Sequence, residues 1–317
     1  MGVTTSQQIT RYYDTFRDTE IVFSKEIIRT IHLNPRQVFI KCAGVQWPCI
    51  INSTSLLGAR IILGTKGGAY ANISKNNSTV SLRFCFSQPD GEDISFFVTA
   101  RVTDIAAYMD SNELAIISIS FTQQQPDNLI EVIGKLLEAR ANAERRSEER
   151  IPISPDTKRR LNLLKEETIV YIQNVPRHCI VRNLSFSGSK IILQGLAQYL
   201  LNKDADLHLE FDEPRETISL KGKVVSTESI EGRKDLITVS IQFNTDTVSM
   251  NYKLHINSCL TSLRKKQLTI TEDKDSNDTE KNKSQQTSNK QIENSTKENQ
   301  TEPSEETSPD EQINTQE

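Results

Sequence analysis

Alternating apolar and polar residues dominate two stretches of this 317-residue chain. Each stretch begins with a short alternating run and continues through two longer runs rich in Val, Ile and Phe. The runs are Val80–Phe84, Ile94–Val102 and Leu114–Phe121 in the first half, and Leu207–Phe211, Thr217–Val225 and Leu236–Phe243 in the second. A period of two residues places alternate side chains on one face of a β-strand. The pattern therefore predicts a mainly β chain, with an antiparallel barrel or sandwich in each half.

The two halves also share an internal repeat. The segment Cys49–Leu63 aligns without a gap with Cys179–Leu193, at an offset of 130 residues. Both segments begin with Cys-Ile, carry a serine and a glycine at matching positions, and end with Ile-Ile-Leu. A gene duplication explains this match, since repeated segments fold into repeated units. The alternative is that two unrelated β domains share a short apolar strand.

A helical segment is predicted between the halves. It begins at Pro126-Asp127, because proline suits the first turn of a helix, and it should end near Ile151-Pro152, because a residue before proline disfavours helical geometry. Its apolar residues recur at helical spacing: Leu129, Ile133, Leu136 and Leu137. A second amphipathic segment, from about Thr247 to Leu263, is predicted to close the C-terminal β domain.

The last part of the chain has a different composition. Residues 271–317 contain 13 acidic residues and 5 lysines, and their only aliphatic or aromatic residues are Ile292 and Ile313. Such a segment cannot bury enough apolar surface to offset the entropy of ordering, so a disordered tail is expected. The net charge of the tail is −8 and that of the whole chain is −4, so residues 1–270 carry a net charge of +4. A mildly basic body suits an anionic ligand.

The expected cellular location follows from two kinds of segment that the sequence lacks. No apolar run approaches the ~18 residues that a membrane-spanning helix needs, and the polar N-terminus has no signal-peptide core. We therefore expect a cytoplasmic protein without membrane insertion. The five cysteines form no Cys-x-x-Cys pair and lie in strand-like segments, which predicts reduced core thiols.

Enzymatic signatures are weak. The four histidines are isolated from one another and from any metal-type spacing. The segment Gly64–Gly68 superficially resembles a phosphate-binding loop, but it lacks the earlier glycine of that motif, and no helix is expected after it. The sequence therefore predicts a protein that is not an enzyme and that holds no metal or cofactor.

Candidate binding chemistry concentrates in two short motifs. Arg146 and Arg150 form an Arg-x-x-x-Arg, and a later strand carries Asn183, Ser185 and Gly188 as Asn-x-Ser-x-x-Gly. In this order and at this distance, the two motifs resemble the ligand signature of PilZ domains, the bacterial receptors for cyclic di-GMP. The resemblance assigns all five residues to the ligand site.

The resemblance extends over most of the chain. Residues from about Arg145 to Leu263 are similar to a PilZ domain, and those from about Ser6 to Phe121 are similar to the degenerate N-terminal domain of spirochaetal tandem PilZ proteins. It implies two six-stranded antiparallel barrels joined by a helix. The implied boundaries are 1–125 for the N-terminal domain, 126–150 for the linker helix and Arg-x-x-x-Arg segment, 151–268 for the PilZ domain and 269–317 for the tail.

The residue types suit the ligand that the resemblance implies. Cyclic di-GMP carries two phosphates and two guanines. A guanidinium is a planar fork that can bond guanine O6 and N7, bond a phosphate, or stack on a purine, as expected here for Arg146 and Arg150. Asn183 and Ser185 lie two apart on a strand and should face the same way. Gly188 allows a tight bend or a close approach.

The N-terminal copy predicts that only one barrel binds. At the same offset, Ser53 replaces Asn183, while Phe16 and Glu20 stand where the arginines would be. We expect the C-terminal barrel to bind the ligand, to shift relative to the N-terminal barrel, and to signal to a downstream protein partner.

Two other readings stay open. The basic body, with Lys158-Arg159-Arg160 and Arg264-Lys265-Lys266, could bind nucleic acid with strong salt dependence. The chain could also be an interaction scaffold that has lost its ligand. In that case the two signature arginines would be solvated residues paired with Glu148 and Glu149, and Gly188 would serve backbone geometry alone.

Overall fold

The computed structural model describes residues 4–76, 79–88 and 91–266, and the predicted disordered tail lies outside these residues. Strands and short helices alternate in the N-terminal half. They are α1 (Ser6–Phe16), β1 (Ile21–Val22), α2 (Lys25–Thr30), β2 (Phe39–Cys42), β3 (Val45–Pro48), β4 (Ile50–Thr54), β5 (Gly58–Gly64), α3 (Gly68–Asn76), β6 (Thr79–Ser87), β7 (Asp93–Ala107) and β8 (Leu114–Phe121).

The linker helix α4 spans Asp127–Arg145 and leads into the C-terminal half. The elements that follow are β9 (Ile151–Pro152), α5 (Pro155–Leu161), β10 (Glu167–Ile172), β11 (Val175–Leu184), β12 (Gly188–Gln194), β13 (Asp204–Phe211), β14 (Glu216–Ile230) and β15 (Arg233–Phe243). Residues 250–266 form a further helix, α6.

The C-terminal half is a closed antiparallel barrel. Its strands are ordered β10-β13-β14-β15-β12-β11, and β10 also pairs with β11, which closes the ring of six. The two-residue strand β9 pairs with the end of β11, opposite Asn183 and Leu184. The predicted six-stranded barrel is confirmed in this half.

The N-terminal half repeats the same plan with one interruption. Its order is β1-β4-β5-β8-β7-β6-β2-β3, and the consecutive strands β3 and β4 together occupy the place of β11. The interruption falls at Cys49, whose N–H donates to the Val38 carbonyl at 3.2 Å. Because β3 pairs with β2 and β4 pairs with β5, the chain itself joins the two edges of this sheet.

The registers confirm the repeat residue by residue. Ile51 pairs with Ile61 and Ser53 with Arg60, with a bulge between the two pairs. In the second half Val181 pairs with Ile191 and Asn183 with Lys190, again with a bulge between them. Each of these positions is related to its counterpart by the offset of 130 residues. The bulge therefore sits at the same place in both barrels.

Helix α4 buries its apolar face in the core of the N-terminal half. The buried residues include all four that define the predicted apolar face: Leu129, Ile133, Leu136 and Leu137. Gly134 lies so close to α1 that an added Cβ would stand 2.5 Å from the Tyr12 ring. The linker helix is thus a structural part of the first barrel and not a free connector.

The end of α4 differs from the prediction. The helix ends at Arg145, not near Ile151-Pro152. Residues 146–150 form a turn, after which Ile151 and Pro152 pair with Leu184 and Asn183 as a strand. A long-range pairing with β11 therefore ends the helix before proline can, and local sequence carries no sign of it.

Helix α6 begins at residue 250 and covers the end of the C-terminal barrel, as predicted. The ring of Tyr252 meets that of Phe243 edge-on at 6.0 Å, and His255 stacks on Phe211 at 4.1 Å. Met250 reaches the core of the N-terminal half, and its N–H donates to Glu26 Oε1 at 2.5 Å. One helix thus contacts both barrels.

The remaining sequence expectations have mixed outcomes. All five cysteines are free and buried, which confirms the reduced core thiols. The expectation that no helix follows Gly64–Gly68 is wrong, because α3 begins at Gly68. Lys66 in this loop pairs with Glu113 at 2.7 Å on the surface. Within residues 4–76, 79–88 and 91–266, no helix is long and apolar enough to cross a membrane, and no cluster of metal-ligand side chains occurs.

Candidate functional site

The Arg-x-x-x-Arg motif lies in the turn between α4 and β9, which we call the arginine loop (residues 146–150). Arg146 is the C-terminal cap of α4, and its N–H donates to the Asn142 carbonyl at 2.8 Å. Glu149 then donates its N–H to the Arg146 carbonyl at 3.1 Å. The two arginines therefore do not lie on one helix face; they project from a compact turn.

The Asn-x-Ser-x-x-Gly motif forms the end of β11 and its turn into β12. Asn183 sits just after the bulge, half-buried, and its Oδ1 accepts from the Lys190 N–H at 3.1 Å. Ser185 is 0% exposed, and its hydroxyl lies 3.0 Å from the Gly188 nitrogen and 3.2 Å from the Gly188 oxygen. The expectation that Asn183 and Ser185 face the same way is wrong, because β11 ends at Leu184 and the Ser185 hydroxyl turns into the loop.

Gly188 is required by the neighbouring strand. A Cβ at this position would stand 2.4 Å from the Ile241 carbonyl oxygen of β15, far inside van der Waals contact. The close approach that glycine permits here is that of the protein's own backbone. Ser185 and Gly188 thus form the framework of the turn.

The structure brings the two motifs together at Asn183. Arg150 Nη1 donates to Asn183 Oδ1 at 2.9 Å, so the same amide oxygen serves both the arginine loop and β12. A second link involves Ser187, whose hydroxyl lies 2.9 Å from the Ser147 carbonyl and 2.6 Å from Glu148 Oε1. The loop is therefore attached to the β11–β12 turn at two points, through Asn183 and through Ser187.

The two arginines have different surroundings. Arg150 is partly exposed, and its Nη2 lies 3.9 Å from Glu148 Oε2. Arg146 is half-buried, and its Nη1 is a buried donor without a hydrogen-bond partner in the part of the chain that the structure describes. A buried donor without a partner is unfavourable by about 1–3 kcal/mol. Such a group is suited to receive an acceptor from outside the chain.

Helix α6 contacts the turn of the site through Tyr252. Tyr252 is fully buried, and its hydroxyl donates to the Ser185 carbonyl at 2.8 Å. Burial raises the pKa of Tyr252 far above its ordinary value, against the opposing effect of the Arg150 charge nearby. The phenol therefore remains a neutral hydrogen-bond donor that fixes the turn.

Four of the residues in this arrangement were not predicted as site residues: Ser147, Glu148, Ser187 and Tyr252. Ser187 occupies a variable position of the signature, and Tyr252 comes from a distant helix, so neither carries a sequence signal. Glu148 was foreseen only as a surface partner of the arginines. Together the residues present guanidinium groups beside an amide on a rigid turn, which suits a planar anionic ligand.

Comparison with known proteins agrees with this architecture. The PilZN3 domain family matches residues 7–140, and the PilZ domain family matches residues 144–261. A protein from Treponema denticola described as a cyclic di-GMP binding protein is 43% identical over 267 residues, which cover 84% of this chain and 85% of that relative.

Solved structures show weaker likeness. The Borreliella burgdorferi PlzA protein in complex with c-di-GMP is 20% identical with a TM-score of 0.37, over 80% of this chain and 98% of that one. Escherichia coli YcgR in complex with c-di-GMP is 13% identical with a TM-score of 0.27, over 78% and 92%. The assignment rests on the sequence matches: this chain belongs to the tandem PilZ proteins, with a PilZN3 domain followed by a PilZ domain.

Proposed function

We propose that this chain is a receptor for cyclic di-GMP and that its C-terminal barrel holds the ligand. The observation that carries the proposal is the contact between Arg150 Nη1 and Asn183 Oδ1, which joins the two halves of the signature in one site. The description of the Treponema denticola relative as a cyclic di-GMP binding protein supports the choice of ligand.

The proposed roles follow from the surroundings of each residue. Arg150 and Arg146 bond guanine edges or phosphates, and the unpartnered Nη1 of Arg146 gains an acceptor in the complex. Asn183 contributes its amide to a guanine edge. Ser185 and Gly188 act by shaping the turn against which the ligand rests. In this proposal the protein is a non-catalytic receptor of the cytoplasm.

Calorimetric titration of the full chain with cyclic di-GMP, GTP and cyclic di-AMP tests the ligand. We expect cyclic di-GMP to bind at one barrel per chain, and the other two nucleotides to bind far more weakly. Equal heats for all three, or a response only to long polyanions with steep salt dependence, would favour the nucleic-acid alternative instead.

The site is tested by the double substitution Arg146→Ala with Arg150→Ala. Each guanidinium contact to a guanine contributes roughly 1–3 kcal/mol, so the pair should lower the affinity at least about thirtyfold. Arg159→Ala, on the exposed side of α5, is a matched control that removes a cation elsewhere. A double variant that keeps the wild-type affinity and fold would remove the arginine loop from the site.

We also propose that the ligand changes the arrangement of the two barrels and that a downstream protein partner detects the change. The arginine loop directly follows α4, which packs in the N-terminal core. Asn142 near the end of α4 donates to Asn257 of α6 at 2.7 Å, and Asn257 donates to Glu138 at 3.1 Å. A ligand that contacts the loop and β11 together would act on this junction, because it can bind the two arrangements differently.

Small-angle scattering and amide exchange with and without cyclic di-GMP test the switch. We expect a changed scattering profile and slower exchange between Ala141 and Ile153 in the complex. Tight binding with identical profiles and unchanged exchange would leave a receptor that binds without rearranging.

A further inference from the structure

An acidic side chain lies among the signature arginines. Glu148 is the middle residue of the Arg-x-x-x-Arg, and its two carboxylate oxygens have separate contacts. Oε1 accepts from the Ser187 hydroxyl at 2.6 Å, and Oε2 lies 3.9 Å from Arg150 Nη2. A carboxylate therefore stands beside the guanidinium that the proposed function assigns to an anionic ligand.

Ser187 fixes this carboxylate in place. The residue is 6% exposed, its N–H donates to the Ser147 carbonyl at 3.2 Å, and its hydroxyl also lies within 2.9 Å of that carbonyl. Because the bond from the Ser187 N–H to the Ser147 carbonyl fixes the Ser187 backbone, its single hydroxyl proton can be donated to Glu148, although that side chain is 71% exposed. The loop and the strand turn thus determine where the negative charge lies.

We propose that Glu148 is an internal anion of the ligand-free site, a carboxylate that Ser187 holds beside Arg150. Cyclic di-GMP must either displace this carboxylate or bind next to it. The inference rests on the proposed function. A ligand phosphate at Arg150 would approach a fixed carboxylate of the same sign, and like charges at this range repel. The affinity of the site is therefore lower than its arginines alone would give.

The first barrel supports a dedicated role for this pair of residues. At the offset of 130 residues, Leu57 stands in place of Ser187 and Asp18 in place of Glu148. Leu57 has no hydroxyl, and Asp18 pairs with its own neighbour Arg17 at 3.2 Å on the surface. The backbone plan alone does not require a hydroxyl that holds a carboxylate.

The test compares Glu148→Gln with Glu144→Gln by calorimetric titration with cyclic di-GMP. Both substitutions remove one negative charge, but Glu144 lies on α4 and faces Arg140 at 3.7 Å. For a partly exposed ion pair we expect E148Q to raise the affinity about threefold to tenfold, and E144Q to change it less than about twofold. The gain of E148Q should shrink in about 0.5 M salt, where charges are screened within a few ångströms.

A double-substitution cycle tests the role of Ser187. In a Ser187→Ala background the carboxylate is no longer held, so E148Q should raise the affinity by less than about twofold. An undiminished gain there would contradict the positioning role of Ser187.

The single substitution decides the inference by itself, because Glu148 is exposed and its replacement leaves the core intact. If the wild-type chain binds cyclic di-GMP and the E148Q variant binds it equally well or more weakly, the internal anion is overturned and the proposed function stands. A wild-type chain that binds no cyclic di-GMP would overturn the proposed function, and the inference with it.

Discussion

The two barrels contain the same turn, but the loop residue beside that turn has opposite charge in the two halves. In the C-terminal barrel the Ser185 N–H donates to the Gly188 carbonyl at 2.8 Å, and in the N-terminal barrel Ser55 donates to Gly58 at the same distance. An added Cβ would stand 2.4 Å from a carbonyl oxygen at Gly188 and 2.3 Å at Gly58. The serine and glycine of the signature therefore belong to the barrel, whether or not it holds a ligand.

The charged position separates the two barrels. Arg150 contacts Asn183 at 2.9 Å, and at the matching positions Glu20 accepts from the Ser53 hydroxyl at 2.5 Å. Arg60 lies 3.4 Å from the same Glu20 carboxylate. The N-terminal copy thus keeps the contact between loop and strand but reverses the sign of the loop residue. Its charge is already paired within the chain, and an anion there would meet a carboxylate.

A similar device holds both turns from inside. The Tyr252 hydroxyl donates to the Ser185 carbonyl, and Gln125 Nε2 donates to the Leu56 carbonyl at 2.7 Å. Each donor is buried and comes from the chain segment that follows its barrel. The two carbonyls lie one position apart in the repeat, because Leu56 corresponds to Phe186, so the two turns are held from inside at neighbouring positions by unrelated residues.

The largest expected effect comes from replacing Arg150 of the second barrel with glutamate, the residue type at the matching position of the first barrel, Glu20. Arg150→Glu removes a guanidinium contact worth roughly 1–3 kcal/mol and adds a repulsion of about 1–4 kcal/mol at 4 Å. We expect the affinity for cyclic di-GMP to fall on the order of a thousandfold, measured by titration. Arg159→Glu makes the same charge change on α5 and should lower the affinity far less; equal losses in the two variants would make the effect one of net charge alone.

The next effect tests what the barrels share. Gly58→Ala and Gly188→Ala each force a Cβ against a backbone carbonyl and should lower the free energy of unfolding by roughly 1–3 kcal/mol. Gly64→Ala is the control, since its nearest neighbour would lie 3.9 Å away, and it should change stability by less than ~0.5 kcal/mol. Urea denaturation measures all three. A tolerated Gly188→Ala that nevertheless lost ligand binding would instead assign this glycine to the ligand.

The smallest effect concerns pH and should arise from one histidine of the second barrel. His255 is buried against Phe211, and burial lowers its pKa below the ordinary 6.5, with Glu216 opposing the shift. The unfolded chain therefore takes up this proton before the folded chain does, and stability should fall as the pH drops below about 6.5.

Thermal melts at neutral and mildly acidic pH measure this loss. It should diminish in His255→Gln and persist in His178→Gln, which alters an exposed histidine on β11. A wild-type and a His255→Gln protein with the same pH profile would show that the buried imidazole is not the cause.

Much of the fold could be predicted because it depends on local patterns. Alternation located the strands, and the repeat of Cys49–Leu63 in Cys179–Leu193 indicated that the two halves share one plan. The end of α4 could not be predicted, since the pairing of Ile151 with Leu184 that replaces the helix joins residues far apart in the chain.

The sequence by itself predicted which residue types form the proposed binding site and in which half they lie. The reversal of charge from Arg150 to Glu20 is visible when the two halves of the sequence are aligned. Only the tertiary structure decided what each residue touches. It placed the Ser185 hydroxyl inside the turn, joined Arg150 to Asn183, and set Glu148 between Ser187 and Arg150. Those contacts depend on a bulge, a strand end and a loop that meet in space, and no spacing along the chain encodes such a meeting.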